Sequence, residues 1–402
     1  MLVRRGFGIA AAFALSAGLA QAQISDGVIK VGVMNDQSGT YADLAGPGSV
    51  VAARMAVEDF GAAKKGMKVE ILVADHQNKP EVGSSVARQW YDVDKVDLIL
   101  DVPTSSVVLA VNQVTREKNK AFIVSTGATS DLTGKACSPN SIHWTYDTWS
   151  LANGTGSAIV KTGGDSWFFL TADYAFGHAL ERDTEAVVLK NGGKVNGKVR
   201  HPFPSADMSS FLLQAQSSKA KIIGLANAGA DTINAIKQGA EFGIAKGGQQ
   251  FAGLLVFLTD VHSLGLNVAQ GLILTESFYW DLNDETRAFS KRFAQRHKGA
   301  MPTMVQAGVY SALLHYLKAV EALKSDDGPK VIAKMKEMPT DDPLFGKGRV
   351  RQDGRKIHNM YLFEVKKPSE SKGPWDYYKL RATIPAEQAF RPEKDGGCPL
   401  VK

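Results

Sequence analysis

The chain has 402 residues, of which 44% are hydrophobic and 22% are charged, and its formal net charge is +6. This length exceeds what one hydrophobic core normally organises, so we expect two domains of ordinary size. Lysines and arginines are interspersed with acids along the chain, which is typical of a solvated surface and argues against a nucleic-acid partner.

The first residues differ from the rest of the chain. Arg4 and Arg5 form a positive start, an apolar stretch over 7–20 follows, and Ala-Gln-Ala at 20–22 has the form of a cleavage site. The apolar stretch is shorter than the roughly 20 residues that span a bilayer. We therefore expect a signal peptide over 1–22, cleaved near Ala22, with export of a chain that carries no lipid anchor.

Apolar, β-branched runs then alternate with amphipathic stretches. Strands are predicted over 28–34, 69–74, 96–100 and 121–125, and helices over 50–60, 80–91 and 105–118. Strands that alternate with helices must be joined by crossovers. The sheet is therefore expected to be largely parallel, with helices on both faces.

The pattern restarts after an irregular, aromatic-rich stretch at 137–149. Strands are predicted over 166–170, 221–226 and 250–257, helices over 177–190, 231–242, 284–297 and 305–323, and extended segments over 348–352 and 356–364. The fold class is thus α/β, with two Rossmann-like lobes. We expect the first lobe to comprise 24–147 plus 278–350, and the second 148–277 plus 351–402.

Two cysteines are present, Cys137 and Cys398, and each lies next to a turn-forming Ser-Pro or Pro. An exported protein reaches an oxidising compartment, where such a pair is expected to form a disulfide. The alternative is two independent thiols.

Several short segments, each weak alone, carry a resemblance through their order and spacing. They are SGTYA at 38–42, DHQNKPE at 75–81, KVDLI at 95–99, PTSS at 103–106, STGAT at 125–129, DYAFG at 173–177 and AGVY at 307–310. With them the chain resembles the leucine/isoleucine/valine-binding family of periplasmic solute receptors. The resemblance implies a type I periplasmic binding protein fold, with two lobes joined by three crossing segments and closing over a ligand in the cleft.

The resemblance also implies a first-lobe site for the ligand's carboxylate, formed by Ser105 or Ser106 with Ala128 and Thr129. Ser105 and Ser106 begin a predicted helix, where unpaired N–H groups and the helix dipole attract an anion. Gly127 and Ala128 follow a strand, and small residues there let backbone donors approach a ligand. The alternative is that the two serines only cap the helix.

Aromatic residues are expected to complete the cleft. Phe176 stands where the family usually has a second-lobe tyrosine, and Tyr174, two residues away, is expected to substitute for it. Tyr41 is expected to face the cleft from the first lobe. Further aromatics fall near the expected lobe crossings: Tyr146, Trp149, Tyr279 and Trp280. Each of these is more often a core residue than a ligand wall, but together they indicate an apolar or planar ligand.

One departure from the family concerns the ligand's amino group. Amino-acid receptors carry a second-lobe acid that pairs with the ammonium, but the corresponding stretch 252–258 is apolar and Asp260 is the first acid after it. A buried ammonium without a counter-charge is costly. Either Asp260 takes this role or the ligand has no ammonium. The family resemblance leaves aromatic carboxylates, amides and urea open as ligands, and a small carboxylate with an apolar or aromatic body is favoured.

The sequence contains matches to short enzyme motifs, but their order does not fit an active site, and no histidine spacing fits a metal site. Lys-Thr-Gly at 161–163 and Ser-x-x-Lys at 218–221 stand in the wrong order for a penicillin-binding site. No His-x-x-x-His pair supports a metal site. We therefore expect a binding protein without catalysis, metal or cofactor.

Two functional hypotheses remain. The first is an extracytoplasmic receptor that delivers a small organic ligand, a carboxylate or a branched-chain amino acid, to the permease of an ABC importer. The second is a periplasmic sensing module of the same fold. The export signal and the lack of a DNA-binding motif favour the first, as a monomer that reaches the membrane only through the permease.

Overall fold

The computed structural model describes residues 24–402. The predicted signal peptide and its cleavage site near Ala22 lie outside the described residues. The chain forms two parallel sheets covered by helices, as the alternation of strands and helices predicted.

The first sheet has five parallel strands in the order β2-β1-β3-β4-β5. Its elements are β1 Ile29–Asn35, α1 Gly46–Phe60, β2 Val69–Asp75, α2 Pro80–Gln89, β3 Leu98–Asp101, α3 Ser105–Lys118, β4 Ala121–Val124 and β5 Ser141–His143. Because helices cover both faces, the central strands β1, β3 and β4 are almost fully buried and carry continuous apolar runs. The carboxyl ends of these strands meet at one edge, which is the usual place for a ligand in such sheets.

The second sheet has four parallel strands in the order β7-β6-β8-β9. Its elements are α4 Thr148–Leu151, α5 Ser157–Lys161, β6 Ser166–Ala172, α6 Ala175–Lys190, β7 Lys194–His201, α7 Ser209–Ser217, β8 Ile222–Ala226, α8 Ala230–Glu241, β9 Gln250–Gly253, α9 Leu258–Leu264 and α10 Leu266–Ala269. This unit repeats the design of the first, so the chain has two lobes of related architecture.

The remaining elements form two small antiparallel sheets, β10-β14-β15 and β11-β12-β13, and four helices. They are β10 Ile273–Glu276, α11 Asp284–Arg296, α12 Met304–Leu323, α13 Gly328–Glu337, β11 Thr340–Asp342, β12 Gly346–Val350, β13 Lys356–Ile357, β14 Met360–Val365, β15 Tyr378–Ile384 and α14 Ala386–Ala389.

The late helices α11 and α12 contact elements of the first 147 residues. The Thr303 hydroxyl, at the start of α12, donates a hydrogen bond to the Leu44 carbonyl at 2.7 Å. Further along α12, the Tyr310 hydroxyl donates to the Asp59 carboxylate of α1 at 2.8 Å. The Arg292 guanidinium of α11 binds the same carboxylate at 2.6 Å.

The last strands return to the second lobe. Leu274 of β10, Phe363 of β14 and Tyr378 of β15 belong to the same buried hydrophobic cluster as Leu170 of β6 and Leu225 of β8. The antiparallel sheet therefore extends the core of the second lobe.

The C-terminal tail lies against the first lobe. Cys398 forms a disulfide with Cys137, with the two Cα atoms 5.7 Å apart. The Arg391 guanidinium donates to the Ser130 carbonyl at 3.0 Å, and the His143 N–H of β5 donates to the Gly354 carbonyl at 2.9 Å. The segment 351–402, which the sequence assigned to the second lobe, therefore contacts both lobes.

Several elements differ from the sequence predictions, among them the following three. The strand predicted over 250–257 ends at Gly253, and the chain enters α9 at Leu258, because an apolar run alone does not distinguish a strand from other buried backbone. Helix α1 begins at Gly46 and not at Val50, with Pro47 at its first turn. Strand β7 was not predicted, since it is a half-exposed edge strand with little apolar pattern.

Candidate functional site

A cavity of about 230 Å³ lies between the carboxyl ends of the two sheets. It is lined by Tyr41, Leu44, Pro103, Thr126, Ala128 and Tyr146 from the first 147 residues, and by Tyr174, Phe176, Ala228, Leu255 and Phe257 from the second lobe. Among residues 24–402, no charged side chain lines this cavity. The wall is apolar and aromatic, with four hydroxyl groups as its polar side chains.

Two tyrosines meet across the cavity. The Tyr41 and Tyr174 hydroxyl oxygens lie 2.5 Å apart and share a hydrogen bond. Phe203, from the loop after β7, stacks on both rings, with centroids 5.4 Å from Tyr41 and 4.4 Å from Tyr174. Burial raises the pKa of both phenols, so they stay neutral and can donate. The lobes are therefore in contact over the cavity.

Local structure holds each tyrosine in place. The Tyr41 N–H donates to the Asp36 carboxylate at 2.8 Å, in the turn that follows β1. Tyr174 is the residue that precedes α6, so its side chain projects from the start of that helix beside Phe176. Each lobe contributes one tyrosine from the loop at a strand end, which is where α/β folds place ligand-binding groups.

A buried polar chain lies beneath the cavity. The Thr126 hydroxyl donates to the Asp101 carboxylate, and the Asn35 side-chain amide donates to the same carboxylate at 3.0 Å. Burial raises the pKa of Asp101, and these hydrogen bonds oppose that rise. Asp101 and Val102 both have left-handed backbone, with φ of 91° and 52°. Such conformations cost about 1–3 kcal/mol each in non-glycine residues and concentrate at functional sites.

The structure brings four of the eight predicted ligand-binding residues to the cavity: Tyr41, Ala128, Tyr174 and Phe176. The other four, Ser105, Ser106, Gly127 and Thr129, do not line it.

Ser105, Gly127 and Thr129 support the segment around Ala128. The Ser105 hydroxyl, at the start of α3, accepts a hydrogen bond from the Thr129 N–H at 3.2 Å. The Thr129 hydroxyl accepts from the Asp131 N–H at 3.3 Å and so caps a short 3₁₀ turn. Ser106 is half-buried in the first turn of α3.

Gly127 is required for a close approach of the backbone. A Cβ at this position would lie 2.3 Å from Val108 and 2.7 Å from the Val102 carbonyl oxygen. The Gly127 carbonyl is hydrogen-bonded to the His143 ring at 2.6 Å. Any larger residue would push the Ala128 segment away from its place in the cavity wall.

Sequence reasoning missed most of the apolar wall. Leu44, Pro103, Ala228, Leu255 and Phe257 line the cavity without having been predicted, and so does the polar Thr126. The sequence did contain a signal for two of them. Leu255 and Phe257 belong to the apolar stretch 252–258, which corresponds to the place where amino-acid receptors of the family carry their second-lobe acid. Thr126 directly precedes the predicted Gly127.

Among the aromatics expected near the lobe crossings, Tyr146 lines the cavity and donates its hydroxyl hydrogen to the Thr126 carbonyl at 2.6 Å. Trp149, Tyr279 and Trp280 do not line it. The side chains of Tyr279 and Trp280 instead donate to the Trp375 carbonyl, at 3.1 Å and 2.7 Å.

Asp260 has a structural partner. Its carboxylate accepts from the Phe257 N–H at 2.9 Å, which caps the start of α9. Burial raises its pKa to about 7. Asp260 does not line the cavity, so its geometry does not favour the role of ammonium partner.

A different acid, Asp231, lies closer to the tyrosine pair. It stands in the first turn of α8, two residues after Gly229, where a Cβ would lie 3.0 Å from the Tyr41 ring. One carboxylate oxygen accepts from the Ser205 N–H at 3.0 Å, and within the described residues the other has no hydrogen-bond partner. Burial raises the pKa of Asp231 to about 7, and its charge raises the pKa of Tyr41 and Tyr174.

Other kinds of site have little support in the part of the chain that the structure describes. No group of three or more His, Cys, Asp or Glu side chains is placed to hold a metal ion. Within residues 24–402, no helix is both long and apolar enough to cross a membrane. Two α/β lobes with a cavity between them define the class of two-lobed small-molecule binding proteins.

Comparison with known proteins identifies the family. The model of the family described as periplasmic binding protein matches residues 28–373. The chain belongs to this periplasmic binding protein family. A relative from Brucella melitensis described as Leu/Ile/Val-binding protein homolog 6 is 24% identical over 373 residues, which cover 90% of this chain and 92% of the relative.

Two solved structures are also similar. A crystal structure of a periplasmic binding protein from Burkholderia mallei is 52% identical with a TM-score of 0.92, covering 94% of this chain and 100% of its own. The second is a branched chain amino acid ABC transporter periplasmic ligand-binding protein from Burkholderia xenovorans LB400. It is 41% identical with a TM-score of 0.82, and the match covers 93% of this chain and 100% of its own.

The protein is therefore a periplasmic solute-binding protein of ABC transporters. The predicted family, fold class and transport function are confirmed, and the alternative of a sensing module is not favoured. The family and the similar structures are solute-binding proteins and not enzymes, and an ABC permease is the implied partner.

Proposed function

We propose that this receptor captures a small organic carboxylate with an apolar or aromatic body in the interlobe cavity and releases it unchanged to the permease. The observation that carries this proposal is the cavity wall, which combines aromatic and aliphatic side chains with hydroxyl groups and, in the part of the chain described, has no charged side chain. Aromatic walls match a planar apolar body, and hydroxyl donors match a carboxylate.

The carboxylate is proposed to bind at the first-lobe strand ends, near Ala128 and the start of α3 at Ser105. The N-terminus of α3 directs unpaired N–H groups and a positive dipole toward this region. Ser105, Ser106, Gly127 and Thr129 act in this proposal by holding the Ala128 segment, since their own side-chain contacts are already used or lie outside the wall.

The second candidate ligand is a branched-chain amino acid, and Asp231 is the observation that favours it. One carboxylate oxygen of this buried acid has no hydrogen-bond partner among the described residues, and it lies 3.9 Å from the His201 Nδ1. Such an oxygen beside the tyrosine pair is a suitable partner for an ammonium group. The acid would ionise on meeting the ammonium, because an opposite charge lowers the pKa of a carboxyl group.

Calorimetric titration with benzoate and with leucine distinguishes the two ligands. We expect benzoate to bind, and Asp231→Asn to leave its affinity within about threefold of the parent, because benzoate has no ammonium. Asp260→Asn is the matched control, since it neutralises another buried acid that lies outside the wall. Tight leucine binding that Asp231→Asn weakens by about tenfold or more would support the amino-acid alternative.

The remaining features of the receptor are proposed as follows. The signal peptide over 1–22 is removed near Ala22, and the mature protein is a monomer. The lobes comprise 24–147 plus 278–350 and 148–277 plus 351–402, and they close over the ligand. Mass spectrometry of the exported protein tests the cleavage site near Ala22, and solution scattering with and without ligand tests the closure of the lobes.

A further inference from the structure

Thr126 lines the cavity next to Ala128, and the hydrogen-bond partner of its hydroxyl determines whether that hydroxyl can donate to a ligand. Its hydroxyl is bonded to the Asp101 carboxylate, whose other oxygen accepts from the Asn35 side-chain amide at 3.0 Å. Asp101 is fully buried and sits on strained backbone at the end of β3. The hydrogen bonds that join Asn35, Asp101 and Thr126 therefore connect the interior of the first lobe to the cavity wall.

The protonation state of Asp101 determines whether the Thr126 hydroxyl can donate a hydrogen bond into the cavity. A hydroxyl has one proton to donate and two lone pairs. When Asp101 is ionised, the Thr126 hydroxyl must donate to it, and only lone pairs remain for the cavity. When Asp101 is protonated, it donates to the Thr126 oxygen, and the Thr126 proton is free to bind an anion.

We propose that Asp101 carries a proton in the carboxylate complex and that it acts as a positioning residue that makes Thr126 a donor to the ligand. This inference rests on the proposed function, because only a ligand with a carboxylate needs a donor there. The proton is taken from solvent and stays on the Asp101 carboxyl group, and no bond of the ligand forms or breaks.

The surroundings of Asp101 favour the neutral form. Burial is the main influence on the pKa of Asp101 and raises it, and no lysine, arginine or histidine of the described residues is among the groups that affect it. The neighbouring strand ends carry Asp36 and His76, and His76 is neutral at physiological pH because burial lowers its pKa to about 4. Tyr146, which faces Asp101 from beyond β5, is neutral as well.

The second lobe carries the buried acids Asp231 and Asp260 outside the lining, and it adds no cation to the described lining. A bound carboxylate brings one more negative charge to this region. Like charges disfavour ionisation, so the ligand itself favours the protonated form of Asp101.

The test uses the whole mature protein with benzoate as the probe. Asp101→Asn keeps the shape of the side chain, and asparagine tolerates left-handed backbone. Its amide can donate to Thr126 and accept from Asn35, so it imitates protonated Asp101. Asp260→Asn is the matched control, because it changes another buried acid that lies outside the cavity wall. The readouts are the difference infrared spectrum and the uptake of protons in buffers of different ionisation enthalpy.

We expect the benzoate complexes of the parent and of Asp260→Asn to show a protonated-carboxyl band that is missing in Asp101→Asn. Asp101→Asn should bind benzoate within about threefold of the parent affinity and take up fewer protons than the parent when benzoate binds. If benzoate binds and no such band depends on Asp101, the inference is overturned while the proposed function stands. If neither benzoate nor leucine binds, the proposed function fails, and this inference fails with it.

Discussion

The hydroxyl oxygens of Tyr41 and Tyr174 lie 2.5 Å apart and join the loop after β1 in the first lobe to the start of α6 in the second. Phe203 stacks on both rings and shields this hydrogen bond. The contact closes the cavity with the protein's own side chains. In the proposed function, a ligand therefore enters when the lobes are apart, and this hydrogen bond is one of the contacts that favour the closed form.

Tyr174→Phe tests the contribution of this hydrogen bond to closure. The variant removes one hydroxyl and keeps the ring, so the closed form should lose about 1 kcal/mol relative to the open form. Solution scattering without ligand should then give a larger radius of gyration than the parent, and benzoate should restore the smaller value. Tyr361→Phe, which alters a tyrosine of β14, is the control and should leave the radius unchanged.

Phe176→Ala tests the apolar wall. Phe176 is buried against the cavity, and loss of its ring should weaken benzoate binding by about ten- to hundredfold because the ligand loses apolar contact. Titration calorimetry measures the affinity. The same change at the more exposed Phe242 should leave the affinity unaltered. Parental affinity in Phe176→Ala would place the ligand elsewhere.

Thr126→Val and Thr129→Val form a matched pair that separates a cavity hydroxyl from a capping hydroxyl. Thr126 lines the cavity, so its variant should lose about tenfold in benzoate affinity through one missing hydrogen bond. Thr129 caps the turn at Asp131, so its variant should lose about 1 kcal/mol of unfolding free energy and retain most of its affinity. If Thr129→Val lost the affinity and Thr126→Val kept it, the Thr129 hydroxyl would be the one that contacts the ligand.

Replacement of both cysteines by serine tests the disulfide between Cys137 and Cys398. Neither residue lines the cavity, and the bond closes a loop with a sequence separation of 261 residues. The double variant should lose about 2–5 kcal/mol of unfolding free energy, measured by chemical denaturation without reductant. Its benzoate affinity should match that of the parent. Free thiols in the exported parent protein would contradict the pairing.

Asp260→Asn tests how a buried acid makes stability depend on pH. Burial raises the pKa of Asp260 to about 7 from its ordinary value of 3.8, so the folded protein holds the proton more tightly than the unfolded chain. Between these two values the unfolding free energy falls as the pH rises, by up to about 4 kcal/mol, and above pH 7 this contribution changes no further. Denaturation at pH 5 and 8 should show a smaller decrease in the variant. Equal slopes would contradict the raised pKa.

Local patterns in the sequence determined many of the elements of this fold. Helix α3 spans Ser105–Lys118 as predicted, since its periodicity and its start signals are local properties of the chain. The cysteine pair was predicted because only one pairing exists. The order and spacing of the short motifs identified the family, which fixes the two-lobed architecture and therefore places the ligand between the lobes.

The tertiary structure alone decided which side chains form the cavity. Tyr41 and Tyr174 are 133 positions apart, and their contact depends on how the two lobes meet. Thr126 and Thr129 belong to one predicted motif, yet only Thr126 lines the wall, because the turn at Ala128 directs the Thr129 hydroxyl to the Asp131 N–H. Sequence patterns report which faces are buried, whereas a site depends on the directions in which individual side chains leave loops that packing between distant segments positions.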